Sequence, residues 1–340
     1  MAQRVTLDDI ARAAGVTKNT VSVVLRGKNG VSQSMREKIL DLAERMQYKK
    51  NQQPAAVRKY LLALFDSSIG SYATSDSNMG LIPRLWFRLQ TKAQQMGCMV
   101  LPYIVSHEMI ADGVLPEPLD DIGFVSIVVF GRMEADYLNH LISKGHHVVT
   151  VHEYEDGVPA DSVTSDDCYA GYTMTNHLIA MGHRDIEYMG EKYYMAKYMD
   201  RWFGYCRAMA EHGLPIRMNS YNEVRITAQT INEEYSMLSK AFSEMEKLPT
   251  AIVCGEDFTA ERVRHCLSLR GIRCPEDISL VGFDDVYPSG NGLCITTYHA
   301  DHEAIIDNVM NLILQPAHKP VRIVVYGYPV YRNSVKNING

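Results

Sequence analysis

Lys18, Asn19 and Ser22 bring hydrogen-bond donors and acceptors to the start of a short segment in which Val21, Val24 and Leu25 recur at helical spacing. Lys18 can donate to guanine O6 or N7, and Asn19 can pair with adenine N6 and N7. Thr6, Thr17, Ser22 and Ser32 carry hydroxyls of the kind that meet phosphate oxygens. Nothing comparable speaks for catalysis. No nucleophile can be paired with a base, and neither G-x-G-x-x-G nor G-x-x-x-x-G-K-[ST] occurs. The seven cysteines, at 98, 168, 206, 254, 266, 274 and 294, include no C-x-x-C pair and read as reduced thiols. Neither an enzyme nor a cofactor or metal site is expected.

The elements that must position these side chains are three short helices. Thr6-Leu7-Asp8-Asp9 has the form of a helix start, and Leu7, Ile10, Ala11 and Ala14 mark one apolar face. Gly15 interrupts, Val16 fills the corner, and Thr17 is placed to cap the second helix. After a loop from Gly27 to Gly30, Ser34-Met35-Arg36-Glu37 reads as a capping box for a third helix with Ile39, Leu42 and Met46 inward. Helix, tight turn, helix is the arrangement whose second helix enters a DNA major groove by its N-terminal end.

Charge supports this division of labour. The 340 residues carry a formal charge of -6, but residues 1–60 hold 12 basic and 5 acidic side chains (+7), and the remainder hold 22 and 35 (-13). Such asymmetry places a nucleic-acid contact in one part of the chain only. Hydrophobic content of 46% and charged content of 22% are those of a globular protein. A single core rarely grows beyond about 250 to 300 residues, so two or three domains are expected. No run approaches the roughly 18 apolar residues of a membrane span, and MAQRVTLDDI lacks an apolar signal core; the expected location is cytoplasmic, at the nucleoid.

From Tyr60 onward short apolar strands alternate with amphipathic helices: Leu61 to Phe65, a helix near Pro83 to Met96, Val100 to Ile104, Phe124 to Phe130, a helix from Glu134 to Lys144, and Val148 to His152. A second series follows: a helix at Cys168 to Met181, Ile186 to Met189, a helix at Trp202 to His212, Glu223 to Ile226, and a helix at Thr230 to Glu246. Ala251 to Cys254, a helix at Phe258 to Arg270 and Ser279 to Phe283 complete it. The alternation predicts two doubly wound lobes with parallel sheets.

The run VTLDDIARAAGVTKNTVSVVLRGKNGVSQSMREKILDLAERMQY, residues 5–48, resembles the DNA-binding headpiece of the lactose/galactose repressor family of bacterial regulators. HLIAMGHRDIEYMG, RWFGYCRAMAEHGL, PTAIVCGEDFTA and CPEDISLVGFDD, between His177 and Asp285, resemble the effector domain of the same family, which is similar to periplasmic sugar-binding proteins. The resemblance implies an all-α helix-turn-helix headpiece on an α/β body of two doubly wound parallel-sheet lobes. It implies a headpiece at residues 1–50, a hinge at 51–60, an N-terminal lobe at 61–164 and 296–326, and a C-terminal lobe at 165–295 and 327–340. The chain would cross between lobes near Ser165, Thr296 and Gly327.

What the resemblance implies about function is a repressor that binds operator DNA as a homodimer under control of a sugar-like ligand, with no membrane partner. Val23 stands where the family has a guanine-reading Arg, and an apolar side chain there suits a thymine methyl. Arg26 replaces the usual Asn after Val-Leu and offers a phosphate contact. Val57 takes the place of the hinge Leu that wedges into the minor groove, and Pro54 is compatible with a short hinge helix only at its first position. In the body, Arg201, Asp284, Glu256 (for the usual Asn), Asp66 and His152 (for the more common Asp) correspond to effector contacts at strand ends. Tyr193, Tyr194 and Tyr198 are candidates to stack on a sugar face. The departures at Val23 and Pro54 keep a second reading open: a cytoplasmic sugar sensor with weakened DNA binding.

Overall fold

The computed structural model describes residues 6–25, 31–46, 59–67, 80–121, 123–193, 195–222, 231–286, 294–317 and 319–339. It divides into two compact units, Met1–Ala56 and Val57–Gly340.

The first unit contains α1 (Leu7–Ala14), α2 (Lys18–Leu25) and α3 (Gln33–Arg45). Thr6 and Asp9 form the expected reciprocal cap: Asp9 N donates to Thr6 Oγ1 at 3.3 Å, and Thr6 N to Asp9 Oδ2 at 2.9 Å. Gly15 ends α1 in the left-handed region at φ 73, which a side chain would disfavour. Thr17 Oγ1 accepts from Thr20 N at 3.2 Å and so caps α2. Ile10, Ala14, Val21, Val24 and Ile39 close the core. The third helix starts earlier than the Ser34 cap predicted: Gln33 lies in its first turn, its side chain donates to Glu37 Oε1 at 2.9 Å, and Ser32 O accepts from Arg36 N at 2.9 Å. A good helix former four residues before a carboxylate partner extends the helix past the nominal cap.

The second unit runs β1 (Lys59–Asp66), α4 (Leu81–Gln95), β2 (Cys98–Val105), α5 (His107–Asp112), α6 (Pro118–Asp121), β3 (Phe124–Phe130), α7 (Ala135–Ser143), β4 (Val148–Val151) and β5 (Asp161–Ser165). It continues with α8 (Asp167–Ala180), β6 (Ile186–Met189), α9 (Ala196–Glu211), α10 (Ile231–Glu244), β7 (Ala251–Cys254), α11 (Asp257–Ser268) and β8 (Ser279–Phe283). It ends with β9 (Thr296–His299), α12 (His302–Leu314), β10 (Arg322–Val325) and β11 (Tyr328–Val330).

Two sheets result, in the orders β10-β5-β4-β3-β1-β2 and β11-β9-β8-β7-β6, with every pairing parallel except β11 on β9. Alternation along a strand serves both faces of each sheet. Leu61, Ala63 and Phe65 of β1 pack with α4 and α12, while Leu62 and Leu64 pack with Tyr137, Leu138 and Leu141 of α7. In the second sheet, Val253 packs toward α8 and α9, and Ile252 and Cys254 toward α10 and α11.

Two differences from the sequence reading have physical causes. The second crossing comes after His299 and not at Thr296, because Thr296–His299 is still bonded to β8. Helix α9 begins at Ala196, six residues before the predicted Trp202, because its first turns carry Lys197 and Arg201, charges whose burial no hydropathy pattern reveals. Beyond Phe283, where the alternation predicts no further element, the chain adds β9, α12, β10 and β11. The expected strand Glu223 to Ile226 lies outside the described residues.

Candidate functional site

In the first unit, Lys18 and Asn19 are exposed on the first turn of α2, beside the exposed cap Thr17. Ser22 and Val23 are half-buried one turn on, and Ser32 is exposed just before α3. The hydroxyls of Thr6 and Thr17 are already engaged. Thr6 Oγ1 donates to Asp9 Oδ2 at 2.6 Å, so a phosphate would have to displace that bond, and Thr17 Oγ1 lies 2.9 Å from Thr20 Oγ1. Arg26, Pro54 and Val57 lie outside the described residues.

In the second unit, Arg201 is the centre of a buried cluster. It is 1% exposed, and its Nε donates to Asp167 Oδ1 at 2.7 Å, its Nη1 to Gly255 O at 2.8 Å and its Nη2 to Asp284 Oδ1 at 2.6 Å. Burial alone would disfavour the charge, but Asp284 and Asp167 outweigh it and hold Arg201 well above its ordinary range. Asp284 is likewise held well below the usual carboxylate range: burial works against its charge, and Arg201 with Lys197 prevails. Lys197, one turn earlier on α9, has its Nζ 4.0 Å from Asp284 Oδ2.

Backbone shape sets this geometry. Helix α9 can approach α8 closely because Gly171 and Gly204 face each other's backbone: a Cβ on Gly171 would collide with the Arg201 carbonyl, and one on Gly204 with the Cys168 carbonyl. Asp167, in the first turn of α8, thereby reaches Arg201. Asp284 follows β8 at φ 87, a left-handed conformation that turns its carboxylate back toward α9.

His152 enters from the first lobe, after β4, at φ 59. Its Nε2 lies 3.3 Å from Ser165 Oγ, and Ser165 donates to Asp167 Oδ2 at 2.5 Å. A hydrogen-bonded chain therefore runs from His152 through Ser165 and Asp167 to Arg201 and Asp284. Burial lowers the His152 pKa and favours the neutral ring. Glu256 joins at one remove: Tyr198 donates to Glu256 Oε2 at 2.9 Å, and the Arg201 guanidinium lies 5.8 Å from the Tyr198 ring. Asp66 sits apart, at the end of β1 with β3 between it and β4; its Oδ1 is 3.4 Å from Ser67 Oγ and 3.9 Å from His107 Nε2. Tyr193 is half exposed under Lys192, and Tyr194 lies outside the described residues.

Further groups reach across from the first lobe to the second. Glu153 Oε1 accepts from Ala196 N, the first residue of α9, at 2.9 Å, and Tyr154 donates to Asp200 Oδ2 at 3.1 Å. Arg84 of α4 donates to the carbonyls of Asp285 and Val286 at 2.7 and 3.1 Å. Asp167, Ser165, Glu153 and Lys197 were absent from the sequence reading. Lys197 was within reach of it, since a residue four before Arg201 on a helix shares its face. Two cavities of about 240 and 500 Å³, one beside Tyr154 and Arg322 and one between α4 and α12, do not include Arg201. Among the described residues no cluster of His, Cys, Asp or Glu is placed to hold a metal, and no helix is long and apolar enough to cross a membrane.

Comparison with known proteins agrees with both halves. Residues 6–51 match the model of bacterial regulatory proteins of the lacI family, and residues 175–335 match a periplasmic binding protein-like domain. The HTH-type transcriptional repressor PurR of Actinobacillus pleuropneumoniae serotype 3 is 24% identical across 98% of this chain and 99% of its own length. Two solved structures have a similar fold at 20% identity. One is a complex of the transcriptional regulator CelR with cellobiose, with a TM-score of 0.66 over 97% of this chain and 100% of that one. The other is the lac repressor dimer bound to operator and an anti-inducer, with a TM-score of 0.64 over 98% of this chain and 100% of that one.

Proposed function

Because the chain belongs to the lacI family of bacterial regulatory proteins, we propose that it is a transcriptional repressor whose operator affinity is set by a small sugar-like ligand held between the lobes of its body. The observation that carries this reading is the joining, in one chain, of an exposed Lys18-Asn19 helix end to a buried Arg201-Asp167-Asp284 cluster linked to His152 of the opposite lobe. Lys18 and Asn19 read bases, with Ser22 and Val23 beside them, while Thr6, Thr17, Arg26 and Ser32 meet phosphates and Val57 is the hinge contact. Arg201, Asp284, Glu256 and His152 hold the ligand, and Asp66 contributes from the end of β1. The domain boundaries are those of a headpiece, a hinge and two lobes.

A homodimer on a pseudo-palindromic operator follows from size, since one three-helix module touches a single half-site and two multiply the affinity. A ligand that favours one disposition of the lobes must change DNA affinity, and DNA must change ligand affinity by the same factor. The cytoplasm is where such a protein works. Selection of bound duplexes from a randomised DNA pool tests the DNA half of the proposal. A palindromic consensus, bound with an affinity that falls steeply with salt, is expected. Weak binding without a consensus would favour the sugar sensor with decayed DNA contacts.

A further inference from the structure

The turn of Asp284, Asp285 and Val286 is held from several directions at once. Asp284 gives its carboxylate to Arg201 at 2.6 Å, and its N-H donates to the Tyr298 carbonyl at 3.0 Å. The Asp285 carboxylate accepts from Arg332 Nη2 and lies 3.0 Å from His299 Nδ1. Burial opposes the charge on Asp285, but the bonds from His299 and Arg332 outweigh it and keep its pKa below the ordinary value. Val286 N donates to Asp257 Oδ2 at 3.0 Å, and the Val286 side chain is packed in the core of the first lobe. Arg84, half-buried in the first turn of α4, takes the backbone itself: its Nη1 donates to the Asp285 carbonyl at 2.7 Å and its Nη2 to the Val286 carbonyl at 3.1 Å. Asp284 and Asp285 stand at φ 87 and φ 50, in a region that residues with a side chain rarely adopt. Such a turn keeps its shape only while its surroundings impose it.

We infer that Arg84 is the coupling residue of the body, carrying a change at the Asp284 cluster to α4 and through α4 to β1, the strand that follows the hinge in sequence. This rests on the reading of that cluster as the effector site, but Arg84 acts at one remove from it, on the backbone of the turn. A ligand that competes for Asp284 or Arg201 loosens one of the holds on a strained turn. The carbonyls of Asp285 and Val286 then move with the backbone, and the planar guanidinium, bonded to both, must follow. A lysine would offer a point charge and no fixed fork. Beyond Arg84 the groups are packed without a break. Leu85 and Leu89 of α4 lie in one core with Leu61, Ala63 and Phe65 of β1, and the Trp86 ring meets Phe65 edge-on with centroids 5.3 Å apart. Contiguous packing of this kind passes a displacement from one element to the next. The interlobe bonds of Glu153 and Tyr154 end on α9 and not on this turn.

The operator Kd of the full chain, read by fluorescence anisotropy on a duplex selected from a randomised pool, tests this in four proteins: wild type, Asp284→Asn, Arg84→Met and the double variant. Asp284→Asn keeps the side-chain shape, drops its charge and so stands for a change at the cluster. It is expected to shift the operator Kd about fivefold or more when Arg84 is present, and less than about twofold in the Arg84→Met background. The shift in an Arg84→Lys background should fall between the two. A purely structural staple would lower stability and leave the shifts equal, because sites that do not communicate act additively. Equal shifts would therefore overturn the role of Arg84 while leaving ligand-controlled operator binding intact. No shift from Asp284→Asn even in the wild-type background would contradict control of the operator from the cluster, and the role of Arg84 would fall with it. Where circular dichroism shows that Arg84→Met or Asp284→Asn does not fold, Arg84→Lys or Lys197→Met takes its place; a reduced shift then supports the role and equal shifts overturn it.

Discussion

The helix end at Lys18 and the cluster at Arg201 use charge in opposite ways. Lys18 and Asn19 stand exposed on a small three-helix unit whose core holds together without them. Arg201, Asp167 and Asp284 are each 3% exposed or less, and both carboxylates are paired with the one guanidinium. Where polar groups are exposed, function can change at little cost to stability. Where they are buried and paired, recognition and folding share the same bonds, and neither can be altered alone.

Removing Arg201 should give the largest effect. Arg201→Met leaves Asp167 buried without its cation and Asp284 with only Lys197 at 4.0 Å, and a loss of about 3 to 5 kcal/mol in urea unfolding is expected. A loss below about 1 kcal/mol would break the contrast, since it would mean the cluster is as independent of folding as the helix end. Gly204→Ala ranks next. Its Cβ would meet backbone at Cys168 and Tyr172, which cannot give as a side-chain end would, so about 1 to 3 kcal/mol is expected, together with weaker ligand binding as Arg201 shifts.

Glu153 gives a smaller, pH-dependent effect. Burial raises its pKa from 4.5 to about 7, against Lys197 and the Tyr154 and Ala196 N-H groups that favour the charge. The folded state therefore holds this proton more tightly than the unfolded chain. The resulting stabilisation is complete below pH 4.5 and is lost as pH rises through about 7. His152, whose pKa burial lowers, pulls the other way below its ordinary value of 6.5, so the comparison must be made against Glu153→Gln. The stability of the wild type relative to that variant should fall by about 1 to 3 kcal/mol between pH 4.5 and 8. A flat difference would show that Glu153 titrates as an exposed group does. Smallest in stability is Lys18→Ala, within about 0.5 kcal/mol, although operator affinity should drop by about 1 to 3 kcal/mol.

Much of the fold was legible because it rests on local rules. The Thr6 cap, the Gly15 turn and the runs at Phe124–Phe130 and Ser279–Phe283 follow from capping, glycine conformation and the continuous apolar character of parallel strands. Arg201 and Asp284 were found through motif resemblance, and the structure brings them together with His152. Asp167 was missed because an acidic residue opening a helix reads as a favourable dipole partner, and only the contact of α8 with α9 through two glycines makes it a buried counter-ion. Glu153 was missed for a similar reason. It lies among Tyr154, Glu155 and Asp156 in what reads as a solvated loop, yet it is buried against the opposite lobe.

The central claim is that two sites of opposite character act on one equilibrium. Fluorescence anisotropy of the selected operator, titrated with the full chain at fixed salt with and without a saturating sugar that binds the full chain, measures this directly. A change in operator Kd of about fivefold or more is expected, with the sugar Kd changed by the same factor when operator is present. Equal operator affinity with and without a sugar that demonstrably binds would contradict the account.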